Sequence, residues 1–300
     1  MYIETVQRPK VIAVVGPTAS GKSSLGIFLA QKLGGEIISA DSRQVYRGLD
    51  IGTGKVTKKE MAGIPHHLLS VASPKKVFTV DDFVKLGEIA CSQILKNEKT
   101  PIIVGGTGLY IDALLGRVSI PSVPPNQKLR AQLEKKTPAQ LLRMLQKLDP
   151  TRAETIEQKN PRRLVRAIEI AKAIGKTPPK KAEEKYEVLW IGINPPEKKL
   201  RKNIHARLLA RMRAGMVREA KQLHKQGLSY KRMEAFGLEY RSLAQLLQKK
   251  QAEKEMISEL ERAIQKYAKR QMRWFKRNPD THWIRNRTEA LRLAKEFCGR

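Results

Sequence analysis

The sequence predicts an α/β fold: a parallel sheet flanked by helices, with an inserted helical domain. Three observations predict it. Short apolar runs at Val11–Val15, Glu36–Asp41, Ile102–Val104 and Val188–Ile193 alternate with segments of helical period, the pattern of a parallel sheet. The first run opens directly into a glycine-bounded loop and then a helix. A proline-rich break, Ile120-Pro121-Ser122-Val123-Pro124-Pro125, starts a stretch of short helices that Gly175-Lys176-Thr177-Pro178-Pro179 closes.

In chain order, the strand Val11–Val15 leads to a helix over Ser24–Leu33, and Glu36–Asp41 is a second buried strand ending in a carboxylate. A polar loop region runs from Ser42 to Gly54. In the helix expected over Val80–Lys96, Phe83, Leu86, Ile89, Ala90, Ile94 and Leu95 recur at helical spacing. The third strand, Pro101–Val104, stops at Gly105-Gly106-Thr107-Gly108. Asn126–Ala173 reads as the inserted short helices, after which Val188–Ile193 returns to the sheet. Long basic helices follow over Glu197–Lys225 and Glu239–Lys276, the first with Leu200, Ile204, Leu208 and Met212 on one core face. Thr281–Ile284 is a last short strand and Glu289–Phe297 a terminal helix. The expected organisation is therefore a core at 1–120, a helical insertion at 121–185, and core completion with basic helices at 186–300.

The loop Gly16-Pro17-Thr18-Ala19-Ser20-Gly21-Lys22-Ser23 matches G-x-x-x-x-G-K-[ST] between a strand and a helix, which makes the sheet one of P-loop type. Gly16 and Gly21 let successive N–H groups turn inward, and the helix N-terminus adds partial positive charge. Lys22 supplies a cation, and the Ser23 hydroxyl is the usual ligand of a magnesium ion bridging phosphate oxygens. A nucleotide hydrolase or kinase normally adds a second carboxylate at the end of a buried strand, but Ile102–Val104 ends in glycines. The only strand-terminal acid is Asp41. It suits a base that takes a nucleophile's proton, or a magnesium-associated or helix-capping carboxylate. The loops at the strand C-termini should together form one site.

Lys and Arg number 59 against 29 Asp and Glu, a formal charge of +30 in 300 residues. So large an excess favours an anionic partner larger than one nucleotide. Aromatics make up only 5%, which argues against a base-stacking sheet and points to backbone electrostatics. Cys91 and Cys298 form neither a zinc motif nor a disulfide framework, as suits a reducing compartment. No apolar run is long enough to span a membrane, and Met1–Arg8 lacks the apolar core of a signal peptide. The expectation is a cytoplasmic protein with no membrane association and no obligate protein partner, monomer being the default.

Several motifs, in order, resemble the tRNA dimethylallyltransferases (tRNA isopentenyltransferases) of bacterial type over nearly the whole chain. They are the loop at 16–23, Asp41-Ser42-Arg43-Gln44-Val45-Tyr46-Arg47-Gly48-Leu49-Asp50-Ile51-Gly52-Thr53, Pro65-His66-His67-Leu68 and Gly105-Gly106-Thr107-Gly108-Leu109-Tyr110. Asn160-Pro161-Arg162-Arg163-Leu164-Val165-Arg166 and Arg270-Gln271-Met272-Arg273-Trp274-Phe275 complete the series. The resemblance implies transfer of the dimethylallyl group of dimethylallyl diphosphate to N6 of adenosine 37 in tRNAs reading codons that begin with U. It reassigns the phosphate loop from ATP to a prenyl diphosphate. It further implies Asp41 as general base and Thr107 as hydrogen-bond partner of the flipped adenine. Gly16, Thr18, Ala19, Ser20, Gly21, Lys22, Ser23 and Arg207 would hold the diphosphate, with Mg2+ on Ser23. Asp41, Ser42, Arg43, Gln44, Thr107, Arg130, Arg162, Arg163 and Arg166 would contact tRNA. The adenine must leave its stack, into a channel expected between core and insertion. Phe236 and Leu238 depart from the family pattern at positions that affect packing rather than chemistry. A small-molecule kinase, a prenyltransferase acting on free adenylate and a non-catalytic RNA-binding protein are the competing readings. None of the two rival enzymes needs the basic insertion.

Overall fold

The computed structural model describes residues 8–175 and 183–300, so Lys176–Pro179 of the second expected hinge lie outside the described residues. In chain order the first elements are β1 (Lys10–Val15), α1 (Lys22–Leu33), β2 (Gly35–Ala40), α2 (Lys58–Met61), β3 (His66–His67), α3 (Val80–Lys96), β4 (Thr100–Gly105) and α4 (Gly108–Leu114). Then come α5 (Gln127–Leu133), α6 (Pro138–Leu148), α7 (Pro150–Thr155), α8 (Pro161–Ile174) and β5 (Glu187–Ile193). The chain ends with α9 (Glu197–Arg213), α10 (Met216–Lys225), α11 (Tyr230–Ala235), α12 (Leu238–Leu247), α13 (Glu253–Phe275), β6 (Thr281–Ile284) and α14 (Arg287–Cys298).

Among the described residues the strands form one sheet in the order β3-β2-β4-β1-β5-β6. Every pairing is parallel, with Ile12 opposite Ile102 and Leu189, and Ile38 opposite Ile103. Such a sheet is covered on both faces, which is why β2 and β4 are buried at every position instead of alternating. Val11, Ala13, Ile38 and Ile103 pack with Phe83 and Ile94 of α3 and Leu114 of α4. Their neighbours Ile12, Val14, Ile37 and Ile102 pack with Leu25 and Leu29 of α1 and Ala294 of α14 on the opposite face. A further helical core joins Val45 and Leu49 to Ile204, Leu208, Tyr240, Leu260 and Ile264. No helix among the described residues is long and apolar enough to cross a membrane.

Two compact units result: Met1–Val118 with Glu184–Arg300, and Ser119–Glu183. The second has its own core, in which Leu133, Leu141 and Leu145 meet Leu164 and Ile168. Each of its helices starts on a side-chain cap, from Asn126, Thr137, Asp149 and Asn160 respectively.

Two of the expected helices are broken. The long helix over Glu197–Lys225 is broken at Gly215, whose φ of 101° is left-handed and ends one helix while capping the next. The second, Glu239–Lys276, breaks likewise after Leu247, where Lys249 has φ 58°. In α3, Leu86 and Ile89 are exposed, and Gly87 and Cys91 take the inner face instead. There the small glycine lets Leu114 approach so closely that a Cβ would lie 2.8 Å from its methyl group.

Candidate active site

The site forms where β1, β2 and β4 end, all within the larger unit. From β1 the chain enters Gly16–Gly21; Ala19 is left-handed at φ 61° and Gly21 at φ 94°, so the loop turns sharply into α1. That helix has no side-chain cap and no acidic residue in its first turn, which leaves its N-terminal amides free for an anion. Lys22 Nζ donates to Pro17 O at 3.1 Å, folding the ammonium back over the loop. Burial, opposed by Asp41 and reinforced by Arg207, lowers its pKa to about 8. Arg207, on α9, is pushed down by loss of hydration and by neighbouring Arg211, against Glu60, Glu239 and Asp41. Ser20 Oγ is buried without a partner among the described residues. Two crowded cations, a bare helix end and an orphaned hydroxyl are what a polyanion would satisfy.

At the end of β2, Asp41 Oδ1 accepts from Arg43 N at 2.8 Å and Gln44 N at 3.3 Å, fixing the start of the polar loop. Asp41 lines a cavity with Thr18, Lys22, Ser23 and Arg207. Thr107, just past β4, accepts from Ser42 N at 3.1 Å through Oγ1, while its own N–H donates to Ala40 O at 3.2 Å. The β2 and β4 loops are thus stitched side by side. Gln44 Nε2 reaches Gly54 O at 3.4 Å, and Arg43 donates to Ser42 O.

Sequence reasoning missed four supporting residues. Glu219 of α10 accepts from the amides of Asp50 (3.0 Å), Ile51 (2.7 Å) and Gly52 (2.9 Å) and from Tyr240 Oη (2.6 Å), pinning the turn that brings Thr53 and Gly54 to the cavity. Arg211 donates to Gly52 O at 2.7 Å. Tyr267 of α13 sits beside Thr107, and burial, then Asp41, push its pKa up to about 12, so the phenol stays protonated. Gln271 accepts from Thr18 N at 2.8 Å. A signal existed only for Gln271, a neutral amide on the apolar stripe Leu260, Ile264, Ala268, Phe275. His66 also lines the cavity, its Nδ1 against Ile64 O, and His67 shares buried Glu36 with Lys99.

The helical unit carries the other expected arginines. Arg162 and Arg163 are exposed, Arg163 in a loose pair with Glu157 at 3.3 Å. Arg130 instead forks onto the buried Glu169 at 2.8 and 2.7 Å, and Arg166 donates to Val123 O with Glu169 3.5 Å away. Burial opposes the charge of Glu169, but Arg130, the Asn126 amide and Arg166 outweigh it and hold the carboxyl below its usual range. E169Q is expected to destabilise this unit by about 3 kcal/mol, read by urea unfolding, because two guanidinium groups lose their counter-ion. In the wild type that contribution is complete above the unfolded carboxyl's pKa and disappears as pH falls through the lower folded value. Hydrogen exchange along α8 across that acid range checks it.

Comparison with known proteins now decides the family. The family model described as IPP transferase matches residues 44–278. The chain belongs to this family. Within the family, tRNA dimethylallyltransferase 2 of Treponema denticola is 43% identical over 92% of this chain and 94% of its own. The tRNA dimethylallyltransferase of Streptomyces coelicolor is 38% identical over 97% and 96%. The full-length tRNA isopentenylpyrophosphate transferase of Bacillus halodurans superposes with a TM-score of 0.73 at 32% identity, covering 97% of this chain and 96% of that one. A eukaryotic dimethylallyltransferase, solved in snapshots of its action on tRNA, gives 0.75 at 27% identity, covering 89% of this chain and 70% of its own. The expected parallel α/β fold is therefore the family's fold.

Proposed function

We propose that this enzyme transfers the dimethylallyl group of dimethylallyl diphosphate to N6 of adenosine 37 in tRNAs reading codons that begin with U. The products are N6-dimethylallyladenosine and diphosphate. The observation that carries the reading is the single cavity in which Lys22, Ser23 and Arg207 face Asp41. One side of it suits a leaving diphosphate and the other an attacking amine.

In the transfer, N6 forms a bond to C1 of the allylic donor while the C1–O bond breaks and its electron pair leaves on the diphosphate. Lys22, Arg207 and the loop amides from Ala19 to Ser23 meet that developing charge with fixed donors, which therefore bind the transition state best. Asp41 takes the N6 proton, its turn bonds on Oδ1 holding the carboxylate in place. Thr107, its hydroxyl already engaged by Ser42 N–H, anchors the adenine. Magnesium fits here as well: Ser23 and Asp41 are hard-oxygen donors on one cavity, and this ion takes few protein ligands when phosphates supply the rest. When bound it would offset diphosphate charge.

Ser42, Arg43 and Gln44 border the acceptor side, and Arg162 and Arg163, exposed on the helical unit, meet RNA phosphates, with Arg130 and Arg166 acting through Glu169. The +30 charge supports a polynucleotide acceptor. Free thiols at Cys91 and Cys298 suit work in a reducing compartment such as the cytoplasm. Labelled dimethylallyl diphosphate offered with unmodified tRNA, with AMP or alone tests the reading. Label in tRNA supports it; label in AMP, or in neither acceptor, overturns it. In R162A/R163A the slope of log affinity for tRNA against log salt should flatten by about 1 per lost phosphate contact.

A further inference from the structure

Gln271 lies on the buried face of α13, only 6% exposed, where the helix pattern calls for an apolar residue. Its amide is engaged at both ends, across two loops. Oε1 accepts from Thr18 N at 2.8 Å, and Nε2 donates to Gly106 O at 2.9 Å. Those loops end β1 and β4, which are neighbours in the sheet, yet neither backbone group belongs to the sheet ladder. The contact is close enough that a Cβ on Gly106 would lie 2.2 Å from Nε2. The same helix face also meets the chain beyond Gly106. One turn earlier Tyr267 sits beside Thr107, and one turn later Trp274 Nε1 donates to Asp112 of α4 at 2.8 Å.

We infer that Gln271 is a positioning residue that sets the distance between the donor and acceptor halves of the active site. The inference rests on the proposed reading, in which the loop from Thr18 onward holds the diphosphate and Thr107, directly after Gly106, holds the adenine. Group transfer between two separately bound substrates depends on in-line alignment of the attacking nitrogen, the allylic carbon and the leaving oxygen. A small relative shift of the two cradles lowers the rate without weakening either binding step. Thr18 N–H is occupied by Gln271, so the tie leaves the amides further along the loop for the diphosphate. A side chain that only filled space would not need both a donor and an acceptor aimed at different loops.

The test compares wild type with Q271M, Q271E and G106A at saturating dimethylallyl diphosphate and tRNA. Q271M keeps the volume and loses both bonds, Q271E keeps the acceptor for Thr18 N–H, and G106A displaces the amide from the other end. The kcat is expected to fall at least about tenfold in Q271M and G106A and less in Q271E, with donor KM and tRNA Kd within about threefold of wild type. In Q271A/G106A, where the smaller side chain leaves room for the new methyl, kcat falls no further than in the worse single variant. A kcat within twofold of wild type in folded Q271M overturns the inference. So does a loss matched by the unfolded fraction in thermal melts, or one carried by tRNA Kd. If Q271M does not fold, G106A and Q271E decide by the same criteria. A wild-type enzyme that leaves tRNA unlabelled refutes the functional reading instead, and an active wild type with an equally active Q271M refutes only this one.

Discussion

D41N lowers kcat for transfer to tRNA by about a thousandfold while tRNA affinity stays within about threefold, measured by single-turnover transfer and equilibrium binding. Asparagine is the decisive replacement because it retains a side-chain oxygen. That oxygen can still accept from Arg43 N and Gln44 N, the bonds that shape the turn after β2. Thr107 and Ser42 therefore stay where they are, and only the basic oxygen is lost. D41A removes the turn as well, and its tRNA affinity should weaken alongside kcat, since Arg43 and Gln44 are freed. If D41N turns over at nearly the wild-type rate, Asp41 is a turn-former and nothing more. The expected size follows from the chemistry. An exocyclic adenine amine is a poor nucleophile, and its proton must depart as the new bond forms.

How much of this was legible beforehand depended on the range of each interaction. The phosphate loop, Asp41 and Thr107 could be read because each lies at a strand end within a local motif, and short-range chemistry dictates such motifs. The sheet was legible for a related reason: strands buried on both faces are continuous apolar runs. Gly215 marked the break in α9–α10 plainly, yet apolar spacing continued across it and the two helices read as one. Arg130 shows the harder limit. An arginine seen in sequence carries a charge but no partner, and Glu169 lies 39 residues from Arg130. Only the packing of α5 on α8 reveals that the two were already matched. Glu219 and Arg211 were invisible for the same reason, since each acts on backbone groups far away in sequence.

Lys22 carries the second large effect. K22M is expected to lower kcat/KM for dimethylallyl diphosphate by about 10²–10³, the loss typical of one fixed donor to a developing anion. Its acidity supplies a sharper test. An unfolded lysine titrates near 10.5, whereas burial brings the folded Lys22 to about 8. Between these values the unfolded chain holds the extra proton, so Lys22 makes stability rise with pH across that window, and below it the crowded ammonium is a standing cost. A bound diphosphate reverses the balance, because its charge favours the ammonium and lifts the pKa. Binding inorganic pyrophosphate at a pH just above 8 must then draw a proton from solution. Affinity should fall as pH rises through that value and keep falling until the complex itself titrates. Calorimetry in buffers of different ionisation enthalpy reads the proton directly, and K22M removes the ligand's own protonation from the comparison. Equal proton uptake by wild type and K22M would mean that the ammonium of Lys22 does not meet the phosphates.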